Sequence, residues 1–233
     1  ADSSLVRRAI LGASLLLATG WGSTLVYSAV IPQFQDDRGV STAQLGWFGT
    51  VGFIATFLGQ AVVAPAADHR SQRKVALFAS VLLVVGLTWM AFGQGYWWLV
   101  ASRGISGLGL GVMIPVVTAS VMRLVDQPGR AAGRMQAATS AGIALGPLAG
   151  ALAAGRLSVT AILFGSALIA LVAVPAILLL PAGKAEVAHT AGGATELLRS
   201  RRFVGATLIG AAFMAAVGAY DTLWSRYLAD LGG

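Results

Sequence analysis

The chain has 233 residues, 57% of them hydrophobic and 11% charged, with a net charge of +7 and no cysteine. An average soluble domain carries about 25% charged residues, and no soluble fold of this size buries so much apolar surface, so the solvent is lipid. The missing thiols exclude disulfides, thiolate catalysis and cysteine-based metal sites, and no metal or cofactor is expected.

Seven apolar segments stand out, approximately Ile10–Ile31, Leu45–Ala67, Val75–Phe92, Trp98–Leu124, Met135–Leu157, Thr160–Leu180 and Phe203–Leu228. Each is near the roughly 20 residues that cross a bilayer as a helix. Lipid offers the backbone no hydrogen bonds, so such segments must be helical, and the alternating ten-residue strands of a barrel do not occur. The fold class is all-α, a polytopic membrane protein.

The first segment follows Arg7 and Arg8, as a signal peptide would, but runs past twenty residues with no convincing cleavage site before Pro32. It therefore reads as a true span. Its Trp21, Thr24, Tyr27 and Ser28 put polar handles in an apolar wall, the make-up of a small-molecule cavity. Trp21, Thr24 and Ser28 share a face at i, i+3 and i+7, with Tyr27 beside Thr24, and helix packing explains them equally well. Asp36 and Asp37 fall in the following loop.

The second segment carries a weak stripe of small residues, Gly52, Thr56 and Gly59. Asp68, Arg70, Arg73 and Lys74 follow at its end and read as a solvated loop with positive-inside bias. The third ends before Tyr96, Trp97 and Trp98, amphipathic rings suited to a headgroup layer. The fourth holds an arginine inside the run, Arg103, with Gly104, Gly107 and Gly111 within about 60° of one another and Gly109 facing away. Snorkelling to the outer headgroups would relieve Arg103, and so would an inward polar cleft. The fifth repeats the stripe with Gly142, Gly146 and Gly150 and adds Pro147 in mid-helix, as Pro115 does in the fourth. Small residues let helices approach closely where no water drives them together. Each proline is a hinge or merely a bend.

Residues 1–181 thus read as an N-terminal six-helix bundle. Residues 182–202, polar and bearing both glutamates of the chain, read as a cytoplasmic linker. Residues 203–233 read as a seventh helix opening a second bundle that this sequence does not contain. Asp221 is the acidic residue well inside a span there: a proton carrier, or an interface residue beside Trp224 and Arg226.

Twelve of the sixteen lysines and arginines fall on the side of the N-terminus and three on the other, Arg103 being the last. By the positive-inside rule the N-terminus is cytoplasmic, in a plasma (inner) membrane. Charge spread over four loops is a topology signal, so no nucleic-acid partner is expected. His69 and His189 are the only histidines, both in predicted loops, and leave no His-assisted nucleophile in the membrane. An enzyme is excluded.

Three stretches carry a family resemblance. "APAADHRSQRKV" (64–75) resembles the Gly-x-x-x-Asp-Arg-x-Gly-Arg-Arg loop of the major facilitator superfamily, matching at Asp68 and Arg73 and departing at Ala64, His69, Ser71 and Gln72. "RGISGLGLG" (103–111) looks like its Arg-x-x-x-Gly-x-Gly-x-Gly element, and "GIALGPLAG" (142–150) is similar to the Gly-x-x-x-Gly-Pro-x-x-Gly element of its drug–proton antiporter branches. The resemblance implies two six-helix bundles rocking about a central cavity, with protons driving export of small lipophilic molecules. It also implies Arg103 at the cavity in proton coupling, and Asp68, Arg70, Arg73 and Lys74 as a cytoplasmic gate. The expected partners are the substrate, protons, the lipid bilayer and the absent C-terminal bundle. The first span lacks the carboxylate many antiporters place there, which leaves a sugar or metabolite facilitator open, beside a non-transporting scaffold. The absence of asparagine, and a single glutamine (Gln60) well inside a span, favour a lipophilic substrate over a sugar.

Overall fold

The computed structural model describes residues 3–63 and 71–182, and beyond them Arg201, Val204, Gly205, Leu208, Ile209 and Tyr227. The chain divides into two compact units, Ala1–Ala185 and Glu186–Gly233. In the second unit the described residues are helical; the rest of the predicted seventh span, Asp221 included, lies outside the described residues.

The first unit is built from helices that reverse direction at short turns. Span 1 is α1 (Ser3–Leu25), which tightens to a 3-10 segment (Val26–Val30) and continues as α2 (Ile31–Arg38), with Pro32 in its first turn. Pro32 does not end the span, because proline's missing N–H is unneeded at a helix start. Asp36 and Asp37 are therefore exposed residues of α2 and not of a loop. The chain turns at Gly39, whose φ of 62° is left-handed and suits a residue without Cβ. Ser41 then opens α3 (Thr42–Leu58) with a capping box: its Oγ accepts from the Gln44 backbone N–H at 3.3 Å, and the Gln44 side chain accepts from the Ser41 N–H at 2.8 Å. A π-turn, Gly59–Val63, extends α3 to the edge of the described residues.

Next come α4 (Gln72–Phe92), α5 (Tyr96–Met122, through Pro115), α6 (Pro128–Ala153, through Pro147) and α7 (Val159–Ala173), which ends in a 3-10 segment, Val174–Leu179, and with it forms span 6 (Val159–Leu179). Ser158 caps α7 by accepting from the Ala161 N–H at 3.2 Å. The predicted boundaries of these four spans hold to within a few residues, except that α6 starts at Pro128 rather than Met135. The added turns carry Arg130 and Arg134, both exposed. Ser3–Arg38, Gln72–Phe92, Tyr96–Met122 and Val159–Leu179 are long and apolar enough to cross a membrane. Among the described residues, the glycines with positive φ, Gly39, Gly95 and Gly155, each sit at a turn on the predicted outer side.

α1 packs on α6 and α7, and α5 packs on α3 and α4, while α4 and α7 join the two groups and α1 meets α5 between them. One apolar core runs through these contacts, with Leu16, Ile31, Leu83, Leu99, Met113 and Leu163 buried in it. Leu145, Leu148 and Leu152 on α6, and Phe57 on α3, stay exposed on the outside of the unit, as a lipid-facing or partner-facing surface requires.

Arginine fastens the helix ends. From the end of α2, Arg38 donates to the carbonyls of Gly93 (2.5 Å) and Ala91 (2.7 Å) and to Thr160 Oγ1 (3.1 Å). It thereby supplies donors to the orphan carbonyls at the C-terminus of α4 and ties them to the start of α7. At the opposite end of the same helix pair, Arg73 donates to the carbonyls of Leu180 (2.7 Å) and Leu178 (2.9 Å).

Candidate functional site in the bundle interior

The small-residue stripes fix where the site forms. In α6, a Cβ on Gly142, Gly146 or Gly150 would strike the carbonyl of Ala18, Gly22 or Val26 respectively. Both helices advance four residues at each contact, so the backbones of α1 and α6 lie against each other along two turns. In α5, a Cβ on Gly107 would lie 2.5 Å from the Gly52 carbonyl, and one on Gly111 would strike Thr56. Gly104, on the same predicted face, meets only the Val51 side chain at 3.7 Å. Gly109 faces away, as its spacing predicts, and packs on Ala79 and Leu83 of α4. These contacts hold α3 and α4 close against α5 and α1 against α6, while α1 meets α5 through Gly20, which lies against Leu110 and Met113.

Arg103 lies between span 1 and α3. It is 3% exposed, so the guanidinium points into the bundle and the outer headgroups do not hold it. Its Nη1 donates to the Thr24 carbonyl at 3.4 Å and its Nη2 to the Tyr27 hydroxyl at 3.2 Å. The carbon between those nitrogens sits 4.6 Å from the Tyr27 ring centre and 5.6 Å from that of Phe48, within range of cation–π attraction. Tyr27 meets Phe48 edge-on at 5.6 Å, and Phe48 leans on Phe34 at 5.7 Å. Nε abuts Gly52, where any side chain would collide with it, and has no hydrogen-bond partner. Among the described residues no carboxylate pairs with Arg103. One hydroxyl, one carbonyl and two aromatic faces therefore hold a buried cation, an arrangement costly enough to need a reason.

The four residues predicted to line a cavity gather near this point but are mostly covered. Thr24, Tyr27 and Ser28 are buried, and Trp21 is half-buried against the core. The Thr24 hydroxyl donates to the Gly20 carbonyl at 2.7 Å and that of Ser28 to the Leu25 carbonyl at 2.8 Å, so both are satisfied within their own helix. Tyr27 and Thr24 serve Arg103 directly. Of the predicted gate, Arg73 engages the end of span 6 and Lys74 is exposed; Asp68 and Arg70 lie outside the described residues. Phe48, Phe34 and the place of Gly52 against the Arg103 guanidinium escaped the sequence reading. The signal for Phe48 was its position four residues before Gly52 on the same helical face.

Residues 10–232 match the family model described as Major Facilitator Superfamily. The chain belongs to the Major Facilitator Superfamily. Among its curated relatives in this family, the multidrug resistance protein MdtG of Salmonella paratyphi C is 28% identical over 217 residues, which is 87% of this chain and 53% of that protein. A D-xylose transporter of Levilactobacillus brevis is 27% identical over 124 residues, covering 52% of this chain and 27% of that protein. The chain thus spans between about a quarter and about half the length of the curated relatives it matches. Among solved structures, a bacterial homologue of the human lysosomal transporter Spinster, inward-facing and unoccupied, superposes with a TM-score of 0.72 at 16% identity, over 98% of this chain and 56% of that one. The human organic anion transporter MFSD10 superposes at 0.65 and 19% identity, over 77% of this chain and 49% of that one. The superfamily fold is therefore present here, and these matches place the chain in a family of membrane transporters and not of enzymes.

Proposed function

We propose that this chain is the N-terminal six-helix half, with the linker and the first helix of the second half, of a secondary transporter that exports small lipophilic molecules by proton antiport and alternating access. It sits in the plasma (inner) membrane with its N-terminus in the cytoplasm. The observation that carries the reading is the match to MdtG, a multidrug resistance protein, across 87% of the chain. The "GIALGPLAG" stretch supports it, since those glycines are the ones that seat α6 on α1.

Arg103 is the coupling element in this reading. A buried guanidinium with no carboxylate partner among the described residues responds strongly to any proton or charge that enters its surroundings. Asp221, in the seventh helix, is the carboxylate proposed to exchange that proton. Asp68, Arg70, Arg73 and Lys74 form the cytoplasmic gate, and Pro147 is the hinge of α6. Trp21, Thr24, Tyr27 and Ser28 form the wall that meets substrate once the bundles part.

A second reading, a sugar or metabolite facilitator, is favoured by the match to the D-xylose transporter. Proteoliposomes holding the full-length protein discriminate the two. With an acidic lumen, a fluorescent lipophilic dye accumulates inside and radiolabelled D-xylose does not. Movement of the sugar alone, independent of the pH gradient, selects the second reading.

A further inference from the structure

α1 and span 6 leave an open groove of about 600 Å³ on the surface of the six-helix unit, lined by Leu15 and Thr19 on one side and Leu168, Val172, Pro175 and Leu179 on the other. The lining is apolar: its single side-chain polar group, the Thr19 hydroxyl, donates to the Leu15 carbonyl at 2.6 Å and is spent. Along span 6 the groove extends from Leu168 to Leu179, roughly 15 Å at helical rise, which is the depth of one leaflet's hydrocarbon. Its lower end is marked by Gly12, whose added Cβ would touch the Ala176 carbonyl and the Leu179 side chain.

Arg8 stands below that end. It precedes Leu15 by seven residues and Thr19 by eleven, so the three share one face of α1. It lies about 6 Å beyond Gly12 along the axis, at headgroup depth, and helical side chains lean further toward the N-terminus. Arg8 is exposed, and no described residue pairs with it. Arg7 is also exposed but points roughly 100° away from the groove.

We propose that this groove holds an acyl chain of an anionic phospholipid of the cytoplasmic leaflet, with the lipid phosphate on Arg8. Apolar lining along one leaflet depth suits the acyl chain, and an exposed guanidinium at the headgroup end selects an anionic head. The proposal takes the N-terminus as cytoplasmic, as above, and stands whichever substrate the transporter carries. Because the chain has no cysteine, labelling a Ser3→Cys variant from either side of the membrane reports that orientation separately.

The test is thermal melting and native mass spectrometry of the full-length protein in detergent, titrated with dioleoyl phosphatidylglycerol or dioleoyl phosphatidylcholine. Phosphatidylglycerol should bind and raise the melting temperature more than phosphatidylcholine. Arg8→Gln should weaken phosphatidylglycerol about fivefold, the effect of one basic residue at an anionic surface, and Arg7→Gln should weaken it less. Ala173 also lines the groove, and Ala173→Phe, which fills it and leaves Arg8 in place, should abolish the bound lipid. Equal effects of the two lipids, equal loss from Arg7→Gln and Arg8→Gln, or unchanged binding in Ala173→Phe would each overturn the proposal. So would a groove already covered by a second copy of the chain or by its own linker, seen as no lipid effect at all.

Discussion

Arg103 shows how a single residue is held where its charge is least welcome. A mid-membrane arginine costs about 2.5–3.5 kcal/mol on insertion scales, and two long hydrogen bonds and two aromatic faces offset only part of that. The sequence made the residue conspicuous but left its direction open, since a helix that descends past Trp98 permits snorkelling as readily as burial. What decides it is non-local: Gly52 on α3 leaves room for the guanidinium, and Tyr27 reaches it from span 1. Tyr27→Phe separates the two supports, keeping the ring above the guanidinium and removing the hydroxyl acceptor. Its expected cost is about 1–3 kcal/mol, the penalty for a buried donor left unmet, measurable as a lower midpoint in thermal melts of the full-length protein.

At the scale of elements, the spans were legible because lipid forces hydrophobic length and helix to coincide. Their extensions were not. Span 1 continues to Arg38 and α6 begins at Pro128 through turns that are polar on the exposed side, and hydropathy does not register such turns. The glycine stripes were legible as faces but not as contacts. Spacing groups Gly104 with Gly107 and Gly111, yet only the latter two meet backbone. Gly104→Ala should therefore leave melting and yield unchanged, whereas Gly146→Leu should lose about 1–3 kcal/mol or more by forcing α6 off α1. Arg38 was counted only as a charge on the outer side, because nothing local reveals that its partners lie more than fifty residues away. Removing its donors with Arg38→Ala should destabilise the unit by about 1.5–3 kcal/mol, with a lowered melting temperature as the readout.

For the whole molecule, the two arginine clamps have a common consequence. Arg38 and Arg73 fasten α4 and span 6 to each other at both ends, and the α1–α6 seam has no room to slide sideways past its glycines. A six-helix unit tied in this way suits rigid-body rocking, in which motion is concentrated between halves and not inside one. The family was legible because two of the three stretches, 103–111 and 142–150, combine a charge or a proline with glycines at helical spacing, while the stretch 64–75 matches at Asp68 and Arg73. The cargo was not, because a transporter cavity is shared between two bundles and this chain spans about half of MdtG. The central claim is that Arg103 couples proton movement to export. Its most direct test is dye accumulation by the full-length protein in proteoliposomes with an acidic lumen, comparing wild type with Arg103→Ala inserted at equal density. The account predicts that the variant loses pH-driven accumulation at least tenfold; equal accumulation by the two proteins would contradict it.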